Sequence, residues 1–387
     1  MNGDFATGLA PPLTDERYPE VMAEPAAAAA PDPRIDRWSA WDAFLERTPE
    51  TGFMQTSWWV DFRNTCGFEN FGITLKDAGE ILGGAVVLKY SYDDNNSFYY
   101  IQDGPVLPAD PVVAEAAFRA ILDEIECHRH VEQTVVSHLR IEPRWLTLPG
   151  FVGGFRAIRP LADPYLEARD TRCIDLRPDE SAILAQMKSK GRYNIGVARR
   201  HGVSIVEDTS EQGIADFLRI YKRMAVRKGL KPKPPDYFRT LISTLSSRGQ
   251  GSLFFAEYQG KRIATALVVY FGPRATYFFG GSLAIYRNVM APYLMHFEIM
   301  RKAKALGHEC YDLWGIAPRN EPDHPWRDIS AFKARFGGLE VNLVPTLDLV
   351  YDAPAYEHYV ATNGKPDWGL IRFRRSRLSH PSNSEKS

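Results

Sequence analysis

A lysine set between two phenylalanines, in Phe332-Lys333-Ala334-Arg335-Phe336-Gly337-Gly338, is the strongest chemical signal in the chain. Aromatic neighbours strip water from a cation, and a partly desolvated ammonium can stabilise a developing oxyanion or hold an anionic group. Lys333 is therefore the first candidate for catalysis, with Phe332 beside it. The competing reading is a salt bridge to Asp312 or Asp328. Asp110 stands just before Pro111 and reads as the N-cap of the helix Pro111 opens. Tyr277 and Tyr221 are candidates to line an acceptor groove, or simply core. His296 and His324 have no companions at metal-ligand spacing, so no metal site is expected.

The elements that must position these residues follow from periodicity. Pro292 suits a first helical turn, and Leu294, Phe297, Ile299, Met300 and Ala303 follow at helical spacing, with Gly307 as the stop. Tyr311-Asp312-Leu313-Trp314-Gly315-Ile316 reads as a buried strand. Strands over 263–271 and 276–282, a helix over 292–306 and a strand over 309–316 repeat an order already present at 81–90, 98–106, 111–128 and 134–141. Tyr100 would correspond to Tyr277 and Pro143 to Pro318, at nearly equal offsets, which suggests a duplicated β-β-α-β unit. Residues 181–200 read as one basic helix carrying Lys188, Lys190, Arg192, Arg199 and Arg200. Its charge could face an anionic partner or simply solvent. A further helix over 214–227 runs into Lys228-Gly229-Leu230-Lys231-Pro232-Lys233.

The run YDLWGIAP, the following HPW and the FKARFGG element resemble the FemABX peptidyltransferases from about Gln55 to about Asp348. The duplicated unit is likewise similar to the core of the GNAT acyltransferase fold. The resemblance implies an α/β (α+β) architecture of two tandem GNAT-like subdomains. The segment 202–263 shows no periodic, charged helical-hairpin insert, which is similar to members without a long coiled-coil arm. It further implies transfer of an amino acid from aminoacyl-tRNA, a co-substrate, to an amine of a UDP-linked or lipid-linked peptidoglycan precursor. Lys333 and Phe332 take the catalytic positions in that likeness, and Arg63 stands where the family usually has a phosphate-holding Lys. Gln55, Trp59 and Arg63 share one helix face by spacing. Arg227 and Gly229 match the family's R-x-G-F motif with Leu230 in the Phe position, and Lys188 and Arg192 match its basic run. Asp103 replaces the arginine usual before Gly-Pro-Val, and the resemblance implies Asp110, near the family's candidate acid, as the acid–base group.

Two turns argue independently about the donor. GNAT enzymes that use CoA hold its pyrophosphate on backbone N–H groups of a glycine-rich turn opening a helix. The corresponding stretches here, 286–292 and 106–111, contain no glycine. Neither CoA nor a metal is expected as cofactor.

The division expected is a tail over 1–33, a first subdomain over 34–150, a second over 151–365 and a basic tail over 366–387. A net charge of −1 excludes a general polyanion binder, so any RNA contact must be local. Cys66, Cys127, Cys173 and Cys310 form no C-x-x-C pair, which fits a reducing cytoplasm better than a disulfide framework. No secretory signal or membrane-length apolar run is legible. A monomer in the cytoplasm, touching the inner face of the membrane, is the expected setting. The rival readings are an acyltransferase of this fold with another amine acceptor, such as a small molecule or polysaccharide precursor, and a non-catalytic GNAT-like module.

Overall fold

A computed structural model describes residues 35–48, 50–158, 167–319, 321 and 323–363, together with 371–372. The expected tails over 1–33 and 366–387 lie outside these residues, apart from 371–372.

The first half opens with α1 (Ile35–Arg47) and α2 (Ser57–Asn64). It continues through β1 (Glu69–Asp77), β2 (Glu80–Ser91), β3 (Asn96–Gln102), α3 (Pro111–His130) and β4 (Val135–Glu142), then the short β5 (Arg156–Ile158). The second half runs β6 (Asp170–Asp175), α4 (Glu180–Gln186), α5 (Ser189–Arg200), β7 (Ser204–Glu207), α6 (Glu211–Arg227), β8 (Leu230–Lys231) and α7 (Pro235–Ser247). It goes on through β9 (Gly251–Tyr258), β10 (Lys261–Phe271), β11 (Arg274–Ser282), α8 (Ala291–Ala305), β12 (Cys310–Gly315), α9 (Arg327–Lys333) and β13 (Leu339–Asn342). Last come β14 (Thr346–Val350), α10 (Ala353–Asn363) and β15 (Ile371–Arg372).

The sheets show the duplication directly. One has the order β1-β2-β3-β4-β14-β5 and the other β13-β6-β12-β11-β10-β9-β7. In each, an antiparallel run ends in a parallel pair, β3 with β4 and β11 with β12, joined by a crossover helix. Parallel neighbours require such a crossover, and α3 and α8 supply it.

The outer strands depart from the expected boundary at 150/151. β14 lies in the first sheet, antiparallel to β4, although it falls within 151–365. β5, also beyond 150, pairs with β14 there. Their counterparts in the second sheet are β6 and β13. The chain thus leaves the first sheet after β5 and returns to it at β14. The return is fixed by charge as well as by the ladder: buried Arg140 on β4 donates to both oxygens of buried Asp348 on β14, at 2.8 and 2.7 Å.

The basic helix expected over 181–200 is broken. Met187 and Lys188 are extended (ψ 145 and 146), and the Lys188 N–H donates to Arg335 O at 3.0 Å rather than into a helix. A tertiary acceptor has replaced the helical one, and buried Met187 anchors the break. No arm projects from 202–263 among the described residues: α6 and α7 lay Phe217, Ile220, Tyr221, Phe238 and Leu241 into a core shared with β9 and β10. β15 pairs antiparallel with β8, so the C-terminal segment makes ladder contacts at 371–372.

Candidate functional site

The site begins where β11 and β12 part. Their parallel pairing runs from Arg274–Cys310 to Thr276–Asp312 and stops. Just beyond, Trp314 takes a left-handed conformation, φ 61, which costs a non-glycine residue energy and needs compensation. Asp312 provides it. One carboxylate oxygen accepts the Trp314 N–H at 2.8 Å and the Thr171 hydroxyl; the other lies 3.3 Å from the Arg274 guanidinium. The carbonyls of Trp314 and Gly315 are thereby presented to the end of α9, where Lys333 donates to them at 3.2 and 2.6 Å.

Lys333 is buried, and its Nζ sits 6.0 Å from the centroid of the Tyr277 ring. Burial lowers its pKa to about 7, against the pull of the Asp312 carboxylate. Neither Asp312 nor Asp328 forms a salt bridge with it; Asp328 lies 3.8 Å from Arg327. Two of the three ammonium donors are used, and no other partner exists among the described residues.

An aromatic shell closes this side. Phe332 packs on Tyr293, His296 and Phe336, with ring centroids 5.2 to 5.6 Å apart. Tyr277 meets His296 edge-on at 4.6 Å. Burial, then the Lys333 cation, lowers the His296 pKa to about 3, so the imidazole is neutral at physiological pH. On the other face of β12, Trp314 packs on Phe278 at 5.5 Å and on Phe53 of the first half at 6.2 Å. The two glycines after Phe336 are demanded by close approach. Gly337 and Gly338 have φ 82 and 67, and an added Cβ would lie 2.2 Å from Gln186 O and from Cys173 O respectively.

A polar layer lies between the sheets. Arg63, at the end of α2, is buried with its guanidinium 3.9 Å from the Phe68 ring centroid and 5.8 Å from that of Trp59. Its Nε has no partner among the described residues. Gln55 does not share a helix with it, because Thr56 is the N-cap of α2. Gln55 instead bonds the Val86 N–H and the Gln102 carbonyl. Trp59 Nε1 donates to Gln102 Oε1 at 3.0 Å, and Gln102 Nε2 donates to Glu167 at 3.2 Å. Burial and then the neighbouring Glu142 charge raise the Glu167 pKa to about 7, opposed by Lys233 and Arg63. Glu167 and Gln102 carried no sequence signal, since their roles arise from contacts between distant segments, and Trp314 was legible only as part of the YDLWGIAP run.

The remaining candidates divide. Arg227 is exposed at the end of α6 and donates to Ser282 O at 2.8 Å, by the C-terminal end of β11. Arg192 turns back onto the carbonyls of Leu184, Ala185 and Met187, closing the C-terminus of α4. Lys188 is the exposed N-cap residue of α5, and nothing brings either side chain to Lys333. Asp110 caps α3 by accepting the N–H groups of Val112 and Val113 at 2.9 and 3.0 Å on an exposed surface. Asp103 lies 3.6 Å from the buried Arg144 guanidinium. No cluster of three or more metal-ligating side chains occurs among the described residues.

Two sheets of this order, each with a parallel pair bridged by a crossover helix, define a tandem GNAT fold. The acetyltransferase (GNAT) domain family matches residues 187–326. A UDP-N-acetylmuramoylpentapeptide-lysine N(6)-alanyltransferase of Weissella viridescens is 24% identical over 295 residues, 73% of this chain and 85% of that one. A lipid II:glycine glycyltransferase of Staphylococcus saprophyticus is 20% identical over 415 residues, 87% of this chain and 97% of that one. In fold, the crystal structure of FemX aligns with a TM-score of 0.74 and 18% identity over 82% of this chain and 97% of that one. The chain is thus similar to FemABX-type transferases in sequence and in fold.

Proposed function

We propose that the protein transfers an amino acid from aminoacyl-tRNA to an amine of a peptidoglycan precursor's stem peptide. The observation that carries this reading is the buried Lys333 ammonium at the parted ends of β11 and β12, with one N–H uncommitted. The amine nitrogen attacks the ester carbonyl carbon, the carbonyl oxygen becomes an oxyanion, and the third Lys333 donor meets it. The ester C–O bond then breaks, and the proton lost by the amine passes to the tRNA hydroxyl. Tyr277, Phe332 and neutral His296 keep water away from the charge, which strengthens the interaction. Arg63 and Arg227 are assigned to the precursor's phosphates. The unpartnered Nε of Arg63 supports that assignment. Lys188, Arg192 and Asp110 are given no part in the chemistry.

Both crossover helices favour a donor other than CoA. At α3 the Asp110 carboxylate already takes the N–H groups a pyrophosphate would use. At α8 the N-cap Met290 is left-handed, Pro292 has no N–H, and the Tyr293 N–H donates back to Met290 O at 3.0 Å. The two relatives named above act on lipid II and on a UDP-linked pentapeptide, which supports the acceptor class. Incubation with a charged total-tRNA pool and a panel of UDP-linked and lipid-linked stem peptides, read by mass spectrometry, tests the reading. Addition of one aminoacyl mass, abolished by deacylating the tRNA first, is expected. Addition from an acyl-CoA instead would overturn it.

A further inference from the structure

Apart from Arg227, the C-terminal turns of α6 carry a charge pattern that the transfer chemistry does not use. From 222 to 233 the chain has six cations, Lys222, Arg223, Arg227, Lys228, Lys231 and Lys233, and no acidic residue. Lys222, Arg223, Val226 and Arg227 fall on one helix face. Val226 is 61% exposed. Met224 packs over Gly281, and Arg227 bonds Ser282 O, so this face adjoins the turn after β11. That turn raises Ile285, 75% exposed, next to exposed Arg287. Lys222, Arg223, Lys228 and Arg287 have no carboxylate partner among the described residues. The basic groove between α5 and α8 is different in kind: Arg199 and Arg301 there pair with Glu298, and Lys302 with Glu207. The pairing of β15 with β8 also sets Arg372, first residue of the basic run Arg372-Phe373-Arg374-Arg375-Ser376-Arg377, beside Leu230.

We propose that this surface docks the protein on an anionic lipid bilayer, with Ile285 and Val226 entering the headgroup layer and the surrounding cations facing lipid phosphates. Unpaired cations around protruding aliphatic side chains fit a bilayer, which rewards both charge and apolar burial. A polynucleotide rewards only the charge. The patch lies at the same end of the second sheet as Lys333, because β11 and β12 run parallel and both lead there. On the acceptor reading above, on which this consequence rests, docking would favour a lipid-linked precursor over a soluble nucleotide-linked one.

Co-sedimentation of the full chain with vesicles of phosphatidylglycerol and phosphatidylcholine, against pure phosphatidylcholine, tests the proposal without any acceptor. A negative result is thus separable from failure of the transfer reading. Salt-sensitive binding to the anionic vesicles alone is expected. Combined Lys222→Glu, Arg223→Glu and Lys228→Glu should weaken it by on the order of a hundredfold or more. Ile285→Ser, which changes no charge, should weaken it several-fold. These positions are exposed, so melting temperatures should match the wild type, and a variant that melts earlier is replaced by single changes at the same sites. Equal binding to both vesicle types, or undiminished binding of the variants, would overturn the proposal. So would loss of total-tRNA binding by the variants with vesicle binding intact, which would make the surface an RNA site.

Discussion

Lys333 combines burial with donors already oriented by two backbone carbonyls. Its burial links pH to both stability and turnover. The pKa falls from 10.5 in the exposed side chain to about 7 in the fold, so between these values the unfolded chain binds more protons than the folded one. Stability attributable to Lys333 therefore rises with pH through that window. Turnover that needs the ammonium moves the opposite way and declines as pH rises through about 7. Denaturant melts of wild type and Lys333→Met should show a difference that shifts in favour of wild type from pH 7 to 10; a constant difference would contradict the burial argument. Arg63 gives a separate test. Arg63→Met keeps the apolar stem on Phe68 and Trp59 and removes the donors, so the acceptor KM should rise about ten- to a hundredfold, the worth of one charge-assisted phosphate contact. Use of aminoacyl-tRNA should change little, and an unaltered acceptor KM would remove Arg63 from the acceptor site. Lys333 was legible from its aromatic flanks. Its acceptors were not, because the left-handed Trp314 that presents them has no signature in the sequence.

The element that sets Lys333 in place is the short α9 followed by two glycines. Gly338 touches β6 through Cys173 O, and Gly337 touches the end of α4 through Gln186 O. Gly338→Ala combines a positive φ with a 2.2 Å backbone contact, neither relieved by rotating a side chain. The variant should lose about 2 kcal/mol or more in denaturant melts and turn over more slowly, since β6 and α9 must separate. A variant of wild-type stability would show that the contact is slack. The glycine pair was visible in the sequence, and its reason became visible only with β6 and α4 in position. The broken basic helix shows the same limit: residues 181–200 carry helical periodicity throughout, and the break comes from the distant Arg335 carbonyl.

Across the whole molecule the halves are interlocked. The repeat was legible because β-β-α-β order is local in the chain. The return of β14 to the first sheet was not, because it is a pairing of segments some two hundred residues apart and leaves no local pattern. It has an energetic consequence. Arg140 is buried, and both oxygens of Asp348 accept from it, while the Tyr356 hydroxyl donates to Asp348 at 2.9 Å. Asp348→Ala should cost about 3–5 kcal/mol by leaving a buried guanidinium without its partner. A fragment of residues 34–150 lacks that partner entirely and should not fold alone. Circular dichroism showing a cooperative melt for the fragment would contradict the interlocking.

The measurement that bears most directly on the central claim is single-preparation kinetics and melting of Lys333→Met with aminoacyl-tRNA and a stem-peptide acceptor. The substitution keeps the stem's bulk and removes the charge. It should cost about 1–3 kcal/mol, for the two carbonyls left without a donor, while the protein still melts cooperatively. Its kcat should fall about a hundredfold or more, the usual loss of one oxyanion-stabilising donor. A folded Lys333→Met protein with wild-type kcat would reduce Lys333 to a clamp on the Trp314 and Gly315 carbonyls and contradict the account.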